Sequence, residues 1–458
     1  MAVTDSRERE FGQEILRVED LRTAFFTDKE TIYAVDGIDM TIREGETVGV
    51  VGESGSGKSV TARSLMGLVE SPGRVLDGSS IQFRDPEEVD EFADQFPGRT
   101  VDLAALREET DLVELLEELL TTHTVDPAEL TDETRFASQA PGEVDPAALA
   151  EVVDLTDLID AGYGETLGLV DRNEFVFVER RRGDTVEEGY IDVRRASGEG
   201  LRKLRGGRIA MVFQDPLTSL NPVYTVGNQI KESLKLHRGM TGSEATQEAI
   251  DLLEAVGIPD AKRRVTEYPH QFSGGMRQRA VIAMALACDP ELLICDEPTT
   301  ALDVTIQAQI LELLDDLQEE RDLAIMFITH DMGVIAEVSD SVNVMYAGEV
   351  VEKADVENLF EHPKHPYTQG LLESIPGTAQ GDRLRTIEGD VPTPNEPATF
   401  CRFAPRCPEA FEDCEAVHPE RVQVGSDTEN HEAACLLYPE DETREDAVDI
   451  HRERGENA

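Results

Sequence analysis

The sequence predicts an α/β fold in which a glycine-rich loop joins a strand to a helix. Residues 52–59, Gly-Glu-Ser-Gly-Ser-Gly-Lys-Ser, fit the pattern GxxxxGK[ST]. They follow an apolar run at 47–51 that predicts a buried strand, and they precede residues 60–66, which predict a helix. A further α/β pattern at 201–375 contains a second apolar strand that ends in two acids. Strand, glycine loop and helix in this order form the context in which the pattern binds phosphate.

The loop residues have separate physical roles. The glycines let backbone N–H groups turn inward, and the helix N-terminus adds partial positive charge. Lys58 is predicted to reach the β- and γ-phosphates, and Ser59 is predicted to hold Mg²⁺. The predicted nucleotide-binding residues of this segment are Gly52, Glu53, Ser54, Gly55, Ser56, Gly57, Lys58, Ser59 and Val60.

The 458 residues carry a net charge of −53, and only eight of the 42 basic residues are lysines. This composition resembles that of proteins from salt-loving organisms, because at about 1 M salt the Debye length shrinks to about 3 Å and self-repulsion is screened. The charge disfavours a nucleic-acid partner. A basic partner protein is the alternative to a merely solvated acidic surface. The sequence has no long apolar window and no apolar core near its N-terminus, so we expect neither a membrane span nor a secretory signal. We therefore expect a cytoplasmic location.

A second strand supplies candidate catalytic groups. Residues 291–298 predict a buried strand that ends in Asp296, a candidate for the Mg²⁺ shell, and Glu297, a candidate general base. His330 follows the apolar strand 324–329 and is a candidate for contacting the γ-phosphate and ordering Glu297.

A second helix start lies 23 residues before Asp296. Ser273, Gly274 and Gly275 open a predicted helix and offer a second anion site at its N-terminus. Taken alone, these residues would indicate only a helix cap.

Together these segments resemble the ATPase subunit of an ABC transporter. The resemblance extends to Gln214 in the run 213–216 and to Asp303 in Ala301-Leu302-Asp303. It implies a P-loop NTPase with a RecA-like core, an antiparallel β subdomain and a helical signature subdomain. ATP and Mg²⁺ are the implied cofactors, with Gln214 touching Mg²⁺ and the attacking water. In such ATPases the phosphate loop of one domain faces the signature of another, with Asp303 at the dimer seam.

Adenine stacking is assigned to Phe25, with Phe26 and Tyr33 as rivals. The implied catalytic residues are Lys58, Gln214, Glu297 and His330, and the implied Mg²⁺ ligands are Ser59, Gln214 and Asp296.

Further runs narrow the resemblance to the oligopeptide/dipeptide importer subgroup. They are residues 213–222, 268–272, 298–305 and 362–368, and the Thr-Thr-Ala-Leu-Asp-Val form resembles the first (D-type) of that system's two ATPases. The implied partners are a second ATPase in a heterodimer, two permease subunits and an extracellular solute-binding protein. The implied location is the cytoplasmic face of the membrane, as a peripheral subunit. Nickel importers share these runs, so nickel or another solute is the alternative cargo.

Two other function classes stay open as alternatives. A soluble ABC ATPase acting on nucleic acid would carry coiled coils or two fused ATPase units, and the sequence shows no internal repeat. A regulatory module without hydrolysis would lose Lys58, Glu297 or His330, which are all present.

The predicted ATPase domain spans 15–375 and is interrupted by an acidic insertion at 85–200. We expect the insertion to be an exposed, partly helical lobe beside the ATPase body, either a solvated excursion or a contact for a membrane subunit or regulator. Residues 112–120 fit an amphipathic helix, and residues 175–178 fit a strand. Residues 1–14 and 439–458 are expected to be disordered.

A cysteine-containing C-terminal extension spans 376–438. Cys401, Cys407, Cys414 and Cys435 are candidate ligands, since the subgroup resemblance includes the run 401–408 and a [4Fe–4S] cluster is reported for such tails. Zinc and free thiols are the alternatives. Cys288 and Cys295 lie in apolar runs and are expected to be inert core residues.

Overall fold

A computed structural model shows two sheets flanked by helices, in agreement with the predicted α/β class. The structure describes residues 11–122, 125, 130–131, 136, 143–214, 219–300, 302–375, 387–424, 430–439 and 442–455. The strands are β1 Glu14–Phe26, β2 Thr31–Arg43, β3 Thr47–Val51, β4 Gly73–Val75, β5 Ser80–Phe83, β6 Thr100–Asp102, β7 Val176–Arg182, β8 Thr185–Asp192, β9 Ile209–Val212, β10 Leu292–Asp296, β11 Ala324–Thr329, β12 Ser341–Tyr346, β13 Glu349–Asp355, β14 Val422–Gln423 and β15 His431–Ala433.

The helices are α1 Lys58–Leu65, α2 Pro86–Gln95, α3 Leu103–Glu109, α4 Leu112–Thr122, α5 Pro146–Leu149, α6 Leu155–Asp160, α7 Gly198–Leu204, α8 Val226–His237, α9 Gly242–Ala255, α10 Ala261–Arg264, α11 Gly274–Leu286, α12 Val304–Arg321, α13 Met332–Val338, α14 Val356–Glu361, α15 Pro366–Glu373 and α16 Arg444–Gly455. Helix α16 lies within the terminal stretch that was expected to be disordered.

One sheet runs in the order β14-β15-β13-β12-β3-β11-β10-β9. Strands β12, β3, β11, β10 and β9 are parallel neighbours, and β13, β15 and β14 extend the sheet in antiparallel pairs. Because β3, β11 and β10 are adjacent and parallel, their carboxyl ends meet at one edge of the sheet. This brings the end of β3, where residues 52–59 begin, beside Thr329 and Asp296.

The core sheet is buried on both faces. In β10, Leu292 and Ile294 join one hydrophobic core, whereas Leu293 and Cys295 join the other. This alternation follows from the two-residue side-chain period of a strand. Cys288 and Cys295 are both buried, as predicted.

The other sheet runs β2-β1-β5-β8-β7-β6, and β4 pairs with β1. Three of its strands come from residues 85–200: β8 pairs with β5 through Phe83 and Ile191, and β7 and β6 follow. Phe92 and Phe175 are buried in the same hydrophobic core as β5. For these three strands, the expectation of a lobe beside the ATPase body is wrong. The apolar strand β8 pairs with the open edge of β5, because an unpaired edge would leave backbone hydrogen-bonding groups exposed.

The remainder of 85–200 has a small core of its own. Helix α4 begins and ends close to the predicted amphipathic helix, and its Leu116, Leu119 and Leu120 are buried. They share a separate hydrophobic cluster with Leu149 and Leu158. The segment is thus a sheet extension that carries a helical satellite.

Candidate functional site

The phosphate loop follows the fully buried strand β3 and ends at the first turn of α1. Gly52 and Gly57 have backbone φ angles of 158° and 105°. A Cβ atom at Gly52 would lie 2.2 Å from the Met345 carbonyl oxygen, and one at Gly57 would lie 2.3 Å from the Ala34 carbonyl oxygen. Glycine is therefore required at both positions by close backbone approach as well as by φ.

The Lys58 side chain is folded back along the loop. Its Nζ donates to the carbonyl oxygens of Gly52 at 2.7 Å and Glu53 at 2.8 Å. Burial lowers the pKa of Lys58, and nearby carboxylates, Glu297 first among them, act in the opposite direction. The ammonium group thus already lies inside the loop, where the family resemblance predicts that it binds phosphate.

Ser59 and Asp296 lie together at the carboxyl edge of the sheet. The Ser59 hydroxyl donates to Asp296 Oδ1 at 2.9 Å. Burial raises the pKa of Asp296, and the hydrogen bond from Ser59 only partly offsets it. A hydroxyl and a carboxylate oxygen side by side form a donor set that suits Mg²⁺. The structure therefore brings two of the three predicted Mg²⁺ ligands into direct contact.

Glu297 is the centre of a hydrogen-bond network. Its Oε2 accepts from Gln214 Nε2 and from Thr300 Oγ1, each at 2.8 Å, and its Oε1 lies 3.2 Å from His330 Nδ1. The residue has a φ angle of 49°, in the left-handed region that non-glycine residues rarely occupy. The structure thus gathers three of the predicted catalytic residues, Gln214, Glu297 and His330, at the end of β10.

The network also sets the ionisation of Glu297. Burial acts to raise its pKa, but hydrogen bonds from Thr300 and His330 outweigh burial, so the pKa lies below its ordinary value. The carboxylate is therefore ionised at neutral pH, which is the state that a general base requires. Thr300 lies in the family run 298–305, and no local pattern in the sequence predicts its contact with Glu297.

The predicted signature residues open helix α11, which packs in the same hydrophobic core as strands β10 and β11. Ser273 caps helix α11 by accepting from the Met276 backbone N–H at 3.3 Å. Asp303 caps helix α12 in the same way, through the Ile306 backbone N–H at 3.0 Å. Gly275 lies against Ile306, where a Cβ atom would be only 2.5 Å from the Ile306 side chain.

Among the residues that the structure describes, no hydrogen bond joins Ser273, Gly274 or Gly275 to residues 52–59. The chain thus carries a phosphate loop and a signature that do not bond to each other.

The three aromatic candidates for adenine stacking lie on β1 and β2. Phe25 is half-buried, and its ring covers Gly73. Phe26 is 40% exposed, with the Arg74 guanidinium 4.3 Å from its ring centre. The backbone N–H of Tyr33 donates to the Pro394 carbonyl at 2.8 Å.

The four tail cysteines lie near one another. The backbone N–H of Cys401 donates to the Cys414 carbonyl at 3.1 Å. Burial raises the pKa of Cys435, and the thiols of Cys401, Cys407 and Cys414 raise it further. Over the described ranges, however, no group of three or more His, Cys, Asp or Glu side chains is arranged to hold a metal ion. The side-chain geometry therefore does not fit an iron–sulfur cluster or zinc as it stands.

Two protein-family models match the chain. The model described as "ABC transporter" matches residues 35–147 and 181–300. The chain belongs to the ABC transporter family. The model described as "Oligopeptide/dipeptide transporter, C-terminal region" matches residues 351–414 of this ABC ATPase. The prediction of an ATPase of this family is confirmed, and the matched ranges include parts of the 85–200 segment.

Curated relatives match nearly the whole ABC ATPase chain. A putative peptide import ATP-binding protein of Brucella abortus is 40% identical over 435 residues, covering 93% of this chain and 98% of the relative. The oligopeptide transport ATP-binding protein AppD of Bacillus subtilis is 40% identical with the same coverage. The dipeptide transport ATP-binding protein DppD of Escherichia coli is 38% identical, covering 88% and 92%.

Among the described residues of the ABC ATPase, no helix is both long and apolar enough to cross a membrane.

Proposed function

We propose that this chain is the ATP-hydrolysing subunit of a membrane importer for oligopeptides or dipeptides. The Glu297 network carries the hydrolytic part of the proposal, because it holds an ionised carboxylate beside the Ser59–Asp296 pair. The peptide cargo is supported by the names of the relatives and by the matched C-terminal region.

Each residue of the site has a proposed step. On ATP binding, Lys58 exchanges its loop carbonyl partners for the β- and γ-phosphate oxygens. Ser59, Asp296 and Gln214 would hold a Mg²⁺ ion, which would supply positive charge to the phosphates. Glu297 takes a proton from the attacking water, while His330 holds that carboxylate and contacts the γ-phosphate. Lys58 stabilises charge in the transition state together with the signature of a partner ATPase, and a Mg²⁺ ion would add to this stabilisation.

The separation of the two half-sites supports a two-ATPase assembly. We place Asp303 at the seam between this chain and a second, non-identical ATPase, and the neighbouring Val304 is 83% exposed, as a contact surface requires. Two permease subunits, an extracellular solute-binding protein and a peripheral position on the cytoplasmic face complete the proposed complex, in which this chain is the D-type subunit. No nucleic acid takes part.

Uptake by the reconstituted complex tests this function. The chain, its cognate permeases, its sister ATPase and its binding protein are placed in ATP-loaded vesicles with labelled dipeptides, oligopeptides or Ni²⁺ outside. ATP-dependent peptide accumulation is expected. Accumulation of Ni²⁺ alone would replace the cargo, and ATP hydrolysis that responds to nucleic acid but not to permeases would contradict the importer.

A high-salt cytoplasm is a further proposal, based on the charge of −53. Screening should then stabilise the folded chain, so its melting temperature should rise between about 0.2 M and about 3 M KCl. A melting temperature that falls over this range would contradict the proposal.

A [4Fe–4S] cluster on Cys401, Cys407, Cys414 and Cys435 also stays a prediction. The proximity of the four thiols supports it, and the absence of a ligating arrangement among the described residues speaks against it. Iron and sulfide analysis after anaerobic purification decides between a cluster, zinc and free thiols.

A further inference from the structure

Among the residues that the structure describes, the C-terminal region, residues 351–414, hydrogen-bonds to the phosphate loop at Glu53. The Arg406 guanidinium donates through Nη1 to Glu53 Oε2 at 2.8 Å and through Nη2 to Glu53 Oε1 at 3.1 Å. The Glu53 backbone N–H donates to the Tyr367 hydroxyl at 2.8 Å. One loop residue is therefore held at its backbone and at its side chain by residues more than 300 positions away in the sequence.

Arg406 is itself firmly anchored. It also donates to the carbonyls of Glu388 and Gly389, both at 3.0 Å, and to the Tyr346 hydroxyl at 3.3 Å. Its side chain is only 6% exposed. A planar guanidinium with this many partners has one allowed orientation, so it holds the Glu53 carboxylate in a fixed place.

Tyr367 is fixed by ring packing. Its ring lies 4.8 Å from that of Tyr346 and 5.4 Å from that of Phe403, and all three rings are buried. Edge-on and tilted aromatic contacts of this kind define ring orientation and stabilise the cluster. The hydroxyl that accepts from Glu53 is thus held by a rigid support behind the loop.

Glu53 matters because its carbonyl oxygen accepts from Lys58 Nζ at 2.8 Å and from the Ser56 N–H at 3.2 Å. A change in the Glu53 peptide would therefore move the lysine that meets phosphate. Its carboxylate is also a negative charge beside an anion site, and Arg406 compensates that charge. Without Arg406, the carboxylate would oppose an incoming triphosphate.

We propose that Arg406 and Tyr367 are positioning residues of the nucleotide site. Together they hold Glu53 so that the phosphate loop is preorganised, and Arg406 neutralises the Glu53 carboxylate so that it does not repel ATP. This inference rests on the proposed binding of ATP by residues 52–59. The C-terminal region would then influence nucleotide affinity through its contact with Glu53, without binding the nucleotide itself.

Calorimetric titration of the full-length chain with MgATP tests the inference. Arg406→Gln should weaken binding about tenfold, because one carboxylate is left unpaired beside the phosphates. Arg402→Gln is the matched control. Arg402 is another buried tail arginine, paired with Asp36 at 2.5 Å, and among the described residues no hydrogen bond joins it to residues 52–59. It should change the dissociation constant by less than about twofold. Thermal melting of both variants reports how much each loses in stability.

Further variants distinguish a loss of affinity caused by the unpaired charge from one caused by a folding defect. Glu53→Gln in the Arg406→Gln background should restore most of the lost affinity, since the unpaired charge is removed, and a double-mutant cycle measures that coupling. Arg406→Lys keeps the charge without the two-pronged contact and should weaken binding less than Arg406→Gln. Tyr367→Phe should weaken it about threefold, through the lost acceptor of the Glu53 N–H.

Equal weakening by Arg406→Gln and Arg402→Gln would overturn the inference, because it would show only that the tail must be docked. Unchanged affinity in Arg406→Gln would overturn it as well. Failure of the unmodified chain to bind MgATP is a distinct result, and it would refute the nucleotide site itself.

Discussion

The nucleotide site and the 85–200 segment differ in what they bury. The site buries charged groups at its centre, with Lys58 at 5% and Asp296 at 3% exposure, whereas the segment joins the common core mainly through apolar side chains, among them the ring of Phe175. Buried charges cost free energy unless they are paired, and buried rings lower the free energy of the fold. The comparison indicates that changes in the site should alter the rate of hydrolysis, and changes in the segment should alter stability.

The largest effect is expected at Glu297. Glu297→Gln should lower ATP hydrolysis by a factor of about 10² to 10⁴ or more while MgATP binding persists, because the proposed general base is lost and the proposed phosphate contacts stay. Steady-state hydrolysis of the assembled complex and nucleotide titration measure the two quantities. Glu291→Gln, at the other end of the same strand region, is the control and should retain hydrolysis. Undiminished turnover in Glu297→Gln would remove the role assigned to this residue.

The next effect compares the two cores of the 85–200 segment. Phe175→Ala should destabilise the whole ATPase body by about 3–5 kcal/mol, since Phe175 belongs to the main hydrophobic core. Leu116→Ala lies in the satellite core and should loosen that part locally, with little effect on the main unfolding transition. Hydrogen exchange resolved along the chain distinguishes the two. Identical protection losses in both variants would show that the satellite is not separate.

A smaller effect is expected at Thr300. Thr300→Val removes a 2.8 Å hydrogen bond to Glu297 without changing the shape of the side chain much. Hydrolysis should fall about tenfold, which corresponds to the loss of one bond to a charged group, and stability should change little. The pKa of Glu297 should rise, so the acid limb of the pH–rate profile should move to higher pH. A profile identical to that of the unmodified chain would show that Thr300 does not act on Glu297.

A pH dependence of stability is expected where the segment meets the body. Arg208 contacts both Glu88 and Glu291, and burial raises their pKa values to about 7 and about 8. Both values exceed the ordinary 4.5, so the folded state retains protons that the unfolded chain has already released. The free energy of unfolding should therefore fall as pH rises between about 5 and 8.

Glu291→Gln should flatten that dependence, and urea unfolding at several pH values measures it. Glu232→Gln changes an exposed carboxylate and serves as the control. Equal slopes in both variants would contradict the assignment of the titration to this contact.

The parts that sequence predicted are those with a local cause. A loop pattern between a strand and a helix defines residues 52–59, and acids after an apolar run define Asp296 and Glu297. Pairing of β8 with β5 depends on which sheet edge is open, and the Arg406–Glu53 contact joins positions 353 apart. No local sequence pattern encodes such long-range contacts. The placement of the 85–200 segment and the contact of Arg406 with Glu53 are therefore visible only in the structure.

We propose above all that this chain supplies two half-sites, which a companion ATPase completes. The most direct measurement is a cryo-electron microscopy structure of the assembled transporter carrying Glu297→Gln and trapped with MgATP. We expect one triphosphate between Lys58 of this chain and the companion's signature, with Ser273 of this chain on a nucleotide held by the companion. An ATP-bound assembly in which Ser273 lies far from every nucleotide would contradict it.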